Sequence, residues 1–144
     1  MRWQGSALIT PQSPKGIIDL EFAKTPERLQ QLQLFMDQQK VTQNIVLDFF
    51  FIAAYCWFLV TACRYIQSKT DWTKWSNIFV SLAIAAALFD VLENFLMLLV
   101  LNGRFQPSLM EVVFYAALVK FVFAAAVVLY ILLAWPFSLM RKSK

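Results

Sequence analysis

The chain has 144 residues, 60% of them hydrophobic and 16% aromatic, with a formal net charge of +4 and a mean hydropathy of +0.58. Soluble domains hold roughly 45–50% apolar residues, so this composition excludes an ordinary soluble domain and points to one small membrane domain. The charge surplus sits at the flanks of apolar runs, a mark of membrane orientation rather than nucleic-acid binding. The lack of histidine excludes His-ligated haem, His-based zinc sites and any Ser-His or Cys-His nucleophile within the chain.

Residues 1–43 read as an N-terminal tail, 44–135 as a transmembrane domain and 136–144 as a basic C-terminal tail. In the first fourteen residues Ala7-Leu8-Ile9 is the one brief apolar patch, well short of the core of a cleavable signal peptide. Ile17-Ile18-Asp19-Leu20-Glu21-Phe22 alternates apolar with acidic residues, which predicts a short extended segment lying against the bundle or a partner. Thr25-Pro26-Glu27 is a helix start, with an N-cap hydroxyl, proline at the first helical position and an acid in the first turn. Leu29, Leu32, Phe35 and Met36 follow at helical spacing, so the sequence predicts an amphipathic interfacial helix from Pro26 to Gln43.

Three apolar runs come next, from about Asn44 to Arg64, Ile78 to Leu101 and Leu109 to Trp135. Each reaches the approximately 20 residues a helix needs to span the hydrocarbon. The predicted fold class is thus an all-α membrane protein with three transmembrane helices preceded by an amphipathic interfacial helix. Trp72, Trp75, Tyr65, Tyr115 and Trp135 lie near predicted ends, as interfacial aromatics should. Trp57 does not, and is expected within the bundle or against lipid. Pro107 and Pro136 punctuate the final span on either side. Cys56 and Cys63 are seven residues apart on one predicted helix, roughly 10 Å along its axis, too far for a mutual disulfide. They read as packing residues.

Arg64, Lys69, Lys74, Arg141, Lys142 and Lys144 fall on one side of the membrane, with Lys40 and Arg104 near it on the other. The positive-inside rule then puts the N-terminus out and the C-terminus in the cytoplasm. A bacterial inner membrane is the expected location.

The costly residues are Asp90, Glu93 and Asn94, which share one face of the second span at i, i+3, i+4. A charge at mid-bilayer depth costs at least about 2.5 kcal/mol, so such groups pair within a bundle or line a cavity. Asp90 is eleven residues below Leu101, and Lys120 is eleven below Leu109 on the next helix. Both lie roughly 16 Å deep and are the obvious partners. Glu93 and Asn94 sit about one turn further out, with Asp48 shallower still on the first span and Tyr55 at i+7 from it. Asp48, Tyr55, Asp90, Glu93, Asn94 and Lys120 form the candidate binding cluster, a funnel narrowing towards the Asp90–Lys120 level. Ala83, Ala86 and Ala87 extend its stripe inward and Ala116 and Ala124 flank Lys120, small residues that let helices approach closely. Because Lys120 neutralises one of Asp90 and Glu93, Glu93 with Asn94 is expected to remain as an unbalanced, outward-facing pair. The plainer alternative is an ion pair that fixes helix register. For Asp48 the plainer alternative is a carboxylate near a helix N-terminus.

Ile18-Asp19-Leu20-Glu21-Phe22-Ala23, Thr25-Pro26-Glu27-Arg28, Leu47-Asp48-Phe49 and Asp90-Val91-Leu92-Glu93-Asn94, with a lysine in the last span, together resemble a group of small bacterial integral membrane proteins. The resemblance runs from Ile17 onward, implies a shared three-span design and carries no activity with it.

The function that follows is an accessory subunit or a binder of lipid or another amphiphile. Its expected partners are membrane lipids, with a homo-oligomer or a larger membrane complex around it and no nucleic acid. One alternative is a proton- or cation-handling oligomer, although the inner half of the second span, Phe79 to Leu88, is apolar apart from Ser81. Another is an intramembrane enzyme using Asp90 or Glu93 as general acid or base beside Lys120. No metal site is expected: Asp48, Asp90, Glu93 and Asn94 could supply oxygens but lack a diagnostic spacing. No cofactor is identified by the residues.

Overall fold

In the computed structural model, residues 9–11, 13–23, 25–102 and 106–140 are described. Arg104, Arg141, Lys142, Lys144, Ala7 and Leu8, used above for orientation and leader arguments, lie outside them. Among the described residues five helices follow in order: α1 Ile17–Glu21, α2 Pro26–Phe35, α3 Gln38–Lys69, α4 Thr73–Leu101 and α5 Pro107–Met140. The last three are long and apolar enough to cross a membrane, which marks the chain as an integral membrane protein.

The segment from Ile17 is helical, not extended. Among the described residues no strand exists for it to pair with, and an unpaired strand would leave its backbone groups bare in apolar surroundings. A helix satisfies those groups internally, and local contacts start it. Gly16 takes φ 63° at the N-cap, a left-handed conformation that favours glycine. The Asp19 carboxylate then accepts from the Lys15 backbone N–H at 2.8 Å and from the Ser13 hydroxyl at 3.1 Å. The turn brings Leu20 and Glu21 onto the buried side while Ile18 stays exposed.

The helix from Pro26 stops at Phe35 instead of running to Gln43. Met36 is extended (φ −110°, ψ 139°), and the Asp37 carboxylate accepts from the backbone N–H groups of Gln39 at 3.0 Å and Lys40 at 3.4 Å. Asp37 therefore caps a new helix, and the first spanning helix begins six residues before the apolar run. Thr25 caps α2 as its sequence predicts, accepting from Arg28 N–H at 3.3 Å. At the other end of the chain, α5 runs through Pro136 to Met140. Near the end of a membrane helix the one lost backbone bond costs less than unwinding an apolar segment.

Helix α4 is the middle element, packed along both α3 and α5, which touch each other much less. Ala83 and Ala86 are fully buried and Ala116 and Ala87 nearly so, the close approach their size permits. Two apolar clusters hold the bundle. One, around Leu20, Leu32, Ile45, Val100 and Met110, joins α1 and α2 to one end of the spanning helices. The other, around Cys63, Ile66, Val80, Ala83, Val127 and Tyr130, fills the opposite end. Cys63 packs there as a small apolar group, and Trp57 lies on the outer surface, three-quarters exposed. Between the two clusters lies a polar layer.

Candidate functional site

Successive helical residues advance by about 100°, so Glu93 and Asn94 fall on opposite sides of Asp90 on α4. That divergence organises the layer. Asn94 turns towards α3, where its amide donates to Asp48 Oδ2 at 2.7 Å. Glu93 turns towards α5, where its Oε2 lies 2.7 Å from Lys120 Nζ. Asp90 sits between and reaches both neighbours. Its Oδ1 accepts from Lys120 Nζ at 2.7 Å, and its Oδ2 accepts from the Tyr55 hydroxyl at 2.9 Å. All six residues picked out from the sequence thus meet in one layer.

Two expectations need correction. Glu93 and Asn94 are not left as an unbalanced pair: Glu93 is 0% exposed and beside Lys120, and Asn94 is 4% exposed and bound to Asp48. Treating i, i+3 and i+4 as one face missed that the outer two positions address different helices. Lys120, moreover, does not choose between Asp90 and Glu93. It contacts both, and a third carboxylate as well: Glu21 Oε2, at 3.7 Å.

Glu21 was missed because its segment reads as an alternating strand, on which its side chain would point away from Leu20. On α1 the two are neighbours on one buried side, and Glu21 is 8% exposed. Phe22 anchors the turn, edge-on to Phe114 at 5.5 Å and near-parallel to Phe121 at 6.1 Å. Lys120 Nζ lies 5.1 Å from the centre of the same Phe121 ring. Burial pushes the Glu21 carboxyl up to about 7, against the pull of Lys120 and with Asp90 and Asp48 adding to the rise.

Four carboxyls therefore share the layer with one ammonium, three of them in contact with it. Were all ionised, four negative charges against one positive would leave an excess of three. Hydrogen bonding is also incomplete: among the described residues, both Glu93 oxygens and Glu21 Oε2 are buried without a hydrogen-bond partner. The 2.7 Å Glu93–Lys120 contact is an ion pair whose angles lie outside those of a hydrogen bond. Among the described residues no three acidic or thiol side chains are grouped to hold a metal ion.

The layer opens into a cavity of about 440 Å³ between α3 and α5. Glu21, Asp48, Tyr55, Asp90 and Lys120 line its polar part, and Phe51, Phe58, Leu59, Phe121, Ala124 and Val128 its apolar part. Helices α3 and α5 run in the same direction, and Phe58, Leu59, Ala124 and Val128 all follow the polar residues on their own helix. The cavity is thus polar at one end and apolar along the rest.

A second polar contact escaped the sequence reading. Ser76 and Tyr130 share a hydrogen bond of 2.7 Å inside the other apolar cluster, and Tyr130 stacks on Phe79 at 4.1 Å. Serine in a helix's first turn gives no signal that separates this from an ordinary exposed hydroxyl. Comparison with protein families, curated proteins and solved structures returned no match.

Proposed function

We propose that the protein binds an amphiphile in the groove between α3 and α5, either on its own or as an accessory subunit of a larger membrane assembly. The cavity carries this reading: its walls are apolar along most of their length and end in a cluster of ionisable groups. Ligand sites combine such walls with a few convergent polar groups. The large apolar side chains exposed on the outer faces of α3, α4 and α5, Phe50, Trp57, Leu88 and Leu132 among them, suit contact with lipid or another membrane helix. Membership of a group of small bacterial three-span proteins, with the N-terminus outside and the C-terminus in the cytoplasm, belongs to the same proposal and rests on the motif set and the lysine and arginine distribution.

A proton- or cation-handling oligomer is the second reading, favoured by the fully buried Glu93 carboxyl, which is ion-paired with Lys120 but has no hydrogen-bond partner among the described residues. The apolar cluster around Ile66, Val80 and Val127 stands between the polar layer and the far end of the bundle, which weighs against a continuous path. Native mass spectrometry of the protein released from lipid nanodiscs tests the leading reading. One amphiphile per chain is expected on the native protein and none on Ala124→Phe, which fills the groove. A native chain that carries nothing, or a variant that carries the same species, refutes it.

A further inference from the structure

We infer that the head group accepted by this cavity is a protonated amine, so that its ligands are single-chain or similarly compact cationic amphiphiles. The inference rests on the reading of the α3–α5 groove as an amphiphile site and names its chemistry. The acidic layer alone would not establish it. The decisive second feature is Glu21: it lines the cavity, is more than nine-tenths buried, and has an Oε2 with no hydrogen-bond donor among the described residues. Its neighbour Lys120 is held closer to Asp90 and Glu93, at 2.7 Å each, than to Glu21 at 3.7 Å. The second cationic charge that would balance the layer is therefore supplied by none of the described side chains.

Each class of head group can be weighed against this geometry. An anionic head would bring a further negative charge beside Asp48, Glu21 and Asp90, a like-charge arrangement that disfavours binding. A hydroxyl head offers one donor and no charge. A divalent metal needs several oxygen ligands converging on one point, and among the described residues no such group exists. An alkylammonium brings three N–H donors and one positive charge. It brings donors and a positive charge up to the Glu21 carboxyl, reduces the carboxylate excess and sits beside the Phe121 ring, a face that already attracts the Lys120 ammonium at 5.1 Å. Its chain then follows Phe58, Leu59 and Val128 along the apolar length of the groove. A volume of about 440 Å³ lies in the range of compact ligand sites.

The test is equilibrium binding of radiolabelled dodecylamine, dodecanol and dodecanoate to the full chain in phosphatidylcholine nanodiscs at pH 8, against empty nanodiscs. Dodecylamine is expected to bind saturably and at least tenfold tighter than the other two. In Glu21→Gln that preference should fall at least tenfold, and in Ala124→Phe saturable binding of all three should be lost. Dodecanol or dodecanoate binding as tightly as dodecylamine to the native chain would overturn the amine and leave the groove. Failure of all three to bind saturably would overturn the groove reading as well. An amine preference that survives intact in Glu21→Gln overturns the role given to Glu21. The native chain's ranking of the three ligands decides the head-group chemistry even if that variant does not fold.

Discussion

Replacing Lys120 by methionine keeps most of the side chain's volume and removes the cation on which the polar layer converges. Nζ lies 2.7 Å from Asp90 and from Glu93 and 3.7 Å from Glu21, so one substitution strands three carboxyls that are each at least nine-tenths buried. Removing one member of a buried ion pair costs about 3–5 kcal/mol because a charge is left uncompensated. The stranded groups can escape by taking up protons. At pH 7 that costs about 4 kcal/mol for a carboxyl with an ordinary affinity, which limits the loss per group. A loss of at least about 3 kcal/mol is therefore expected, read as a fall of at least about 5 °C in the apparent melting temperature. Tryptophan fluorescence during heating in a mild detergent provides the signal, since the chain has five tryptophans. The loss should shrink as the pH is lowered to 5, where protonation is cheaper. Lys120→Met combined with Asp90→Asn should recover part of it, because one stranded charge is gone. A single variant melting within about 2 °C of the native chain, or a double variant no better than the single, would refute the account of Lys120 as the centre of the layer.

Two further outcomes follow from contacts at either end of the bundle. Burial raises the Glu21 carboxyl from 4.5 to about 7 while Lys120 opposes the rise and Asp90 and Asp48 add to it, with Glu93 also close by on α4. A raised folded-state value means that the docking of α1 is fully favoured below about pH 4.5 and weakens as the pH rises through about 7, by up to about 3 kcal/mol. Hydrogen exchange at residues 17–23 should accelerate between pH 5 and 8.5 beyond the intrinsic pH effect, and Glu21→Gln should remove that excess; an excess unchanged in the variant would count against the assignment. At the opposite end, Ser76→Ala or Tyr130→Phe alone should cost about 1–3 kcal/mol by leaving a buried hydroxyl unpaired. The double variant should cost less than the sum in a thermal double-mutant cycle, and strict additivity would deny the bond.

The spanning helices are legible because an apolar run of membrane length admits few structures, and every backbone group inside it must find its partner locally. Depth counting worked for Asp90 and Lys120 because antiparallel helices of known rise carry their residues to matched heights. Helical phase was less well read. Glu93 and Asn94 lie either side of Asp90, and only the placement of α3 and α5 decides which neighbour each meets. Glu21 was hidden for a different reason. It stands 99 positions from Lys120, on a segment whose period-two pattern imitates a strand, and nothing local reports a contact of that range. The break at Asp37 could have been read: aspartate ahead of Gln-Gln-Lys is a sound N-cap, but the helical spacing of the flanking leucines masked it.

The path of α1 also orders the assembly of the molecule. Residues 17–23 leave the ribosome before any spanning helix, yet the surface they dock on, Phe114, Lys120 and Phe121, is made almost a hundred residues later. The N-terminal segment must therefore wait outside the bundle, with Leu20 and Phe22 uncovered, until the third span has been inserted. Lys120 in turn enters a bilayer in which Asp90 and Glu93 are already present on the preceding helix, so its partners precede it. Residues 17–23 are thus made well before the surface that receives them, and their arrival closes one end of a polar layer whose other charges have already met.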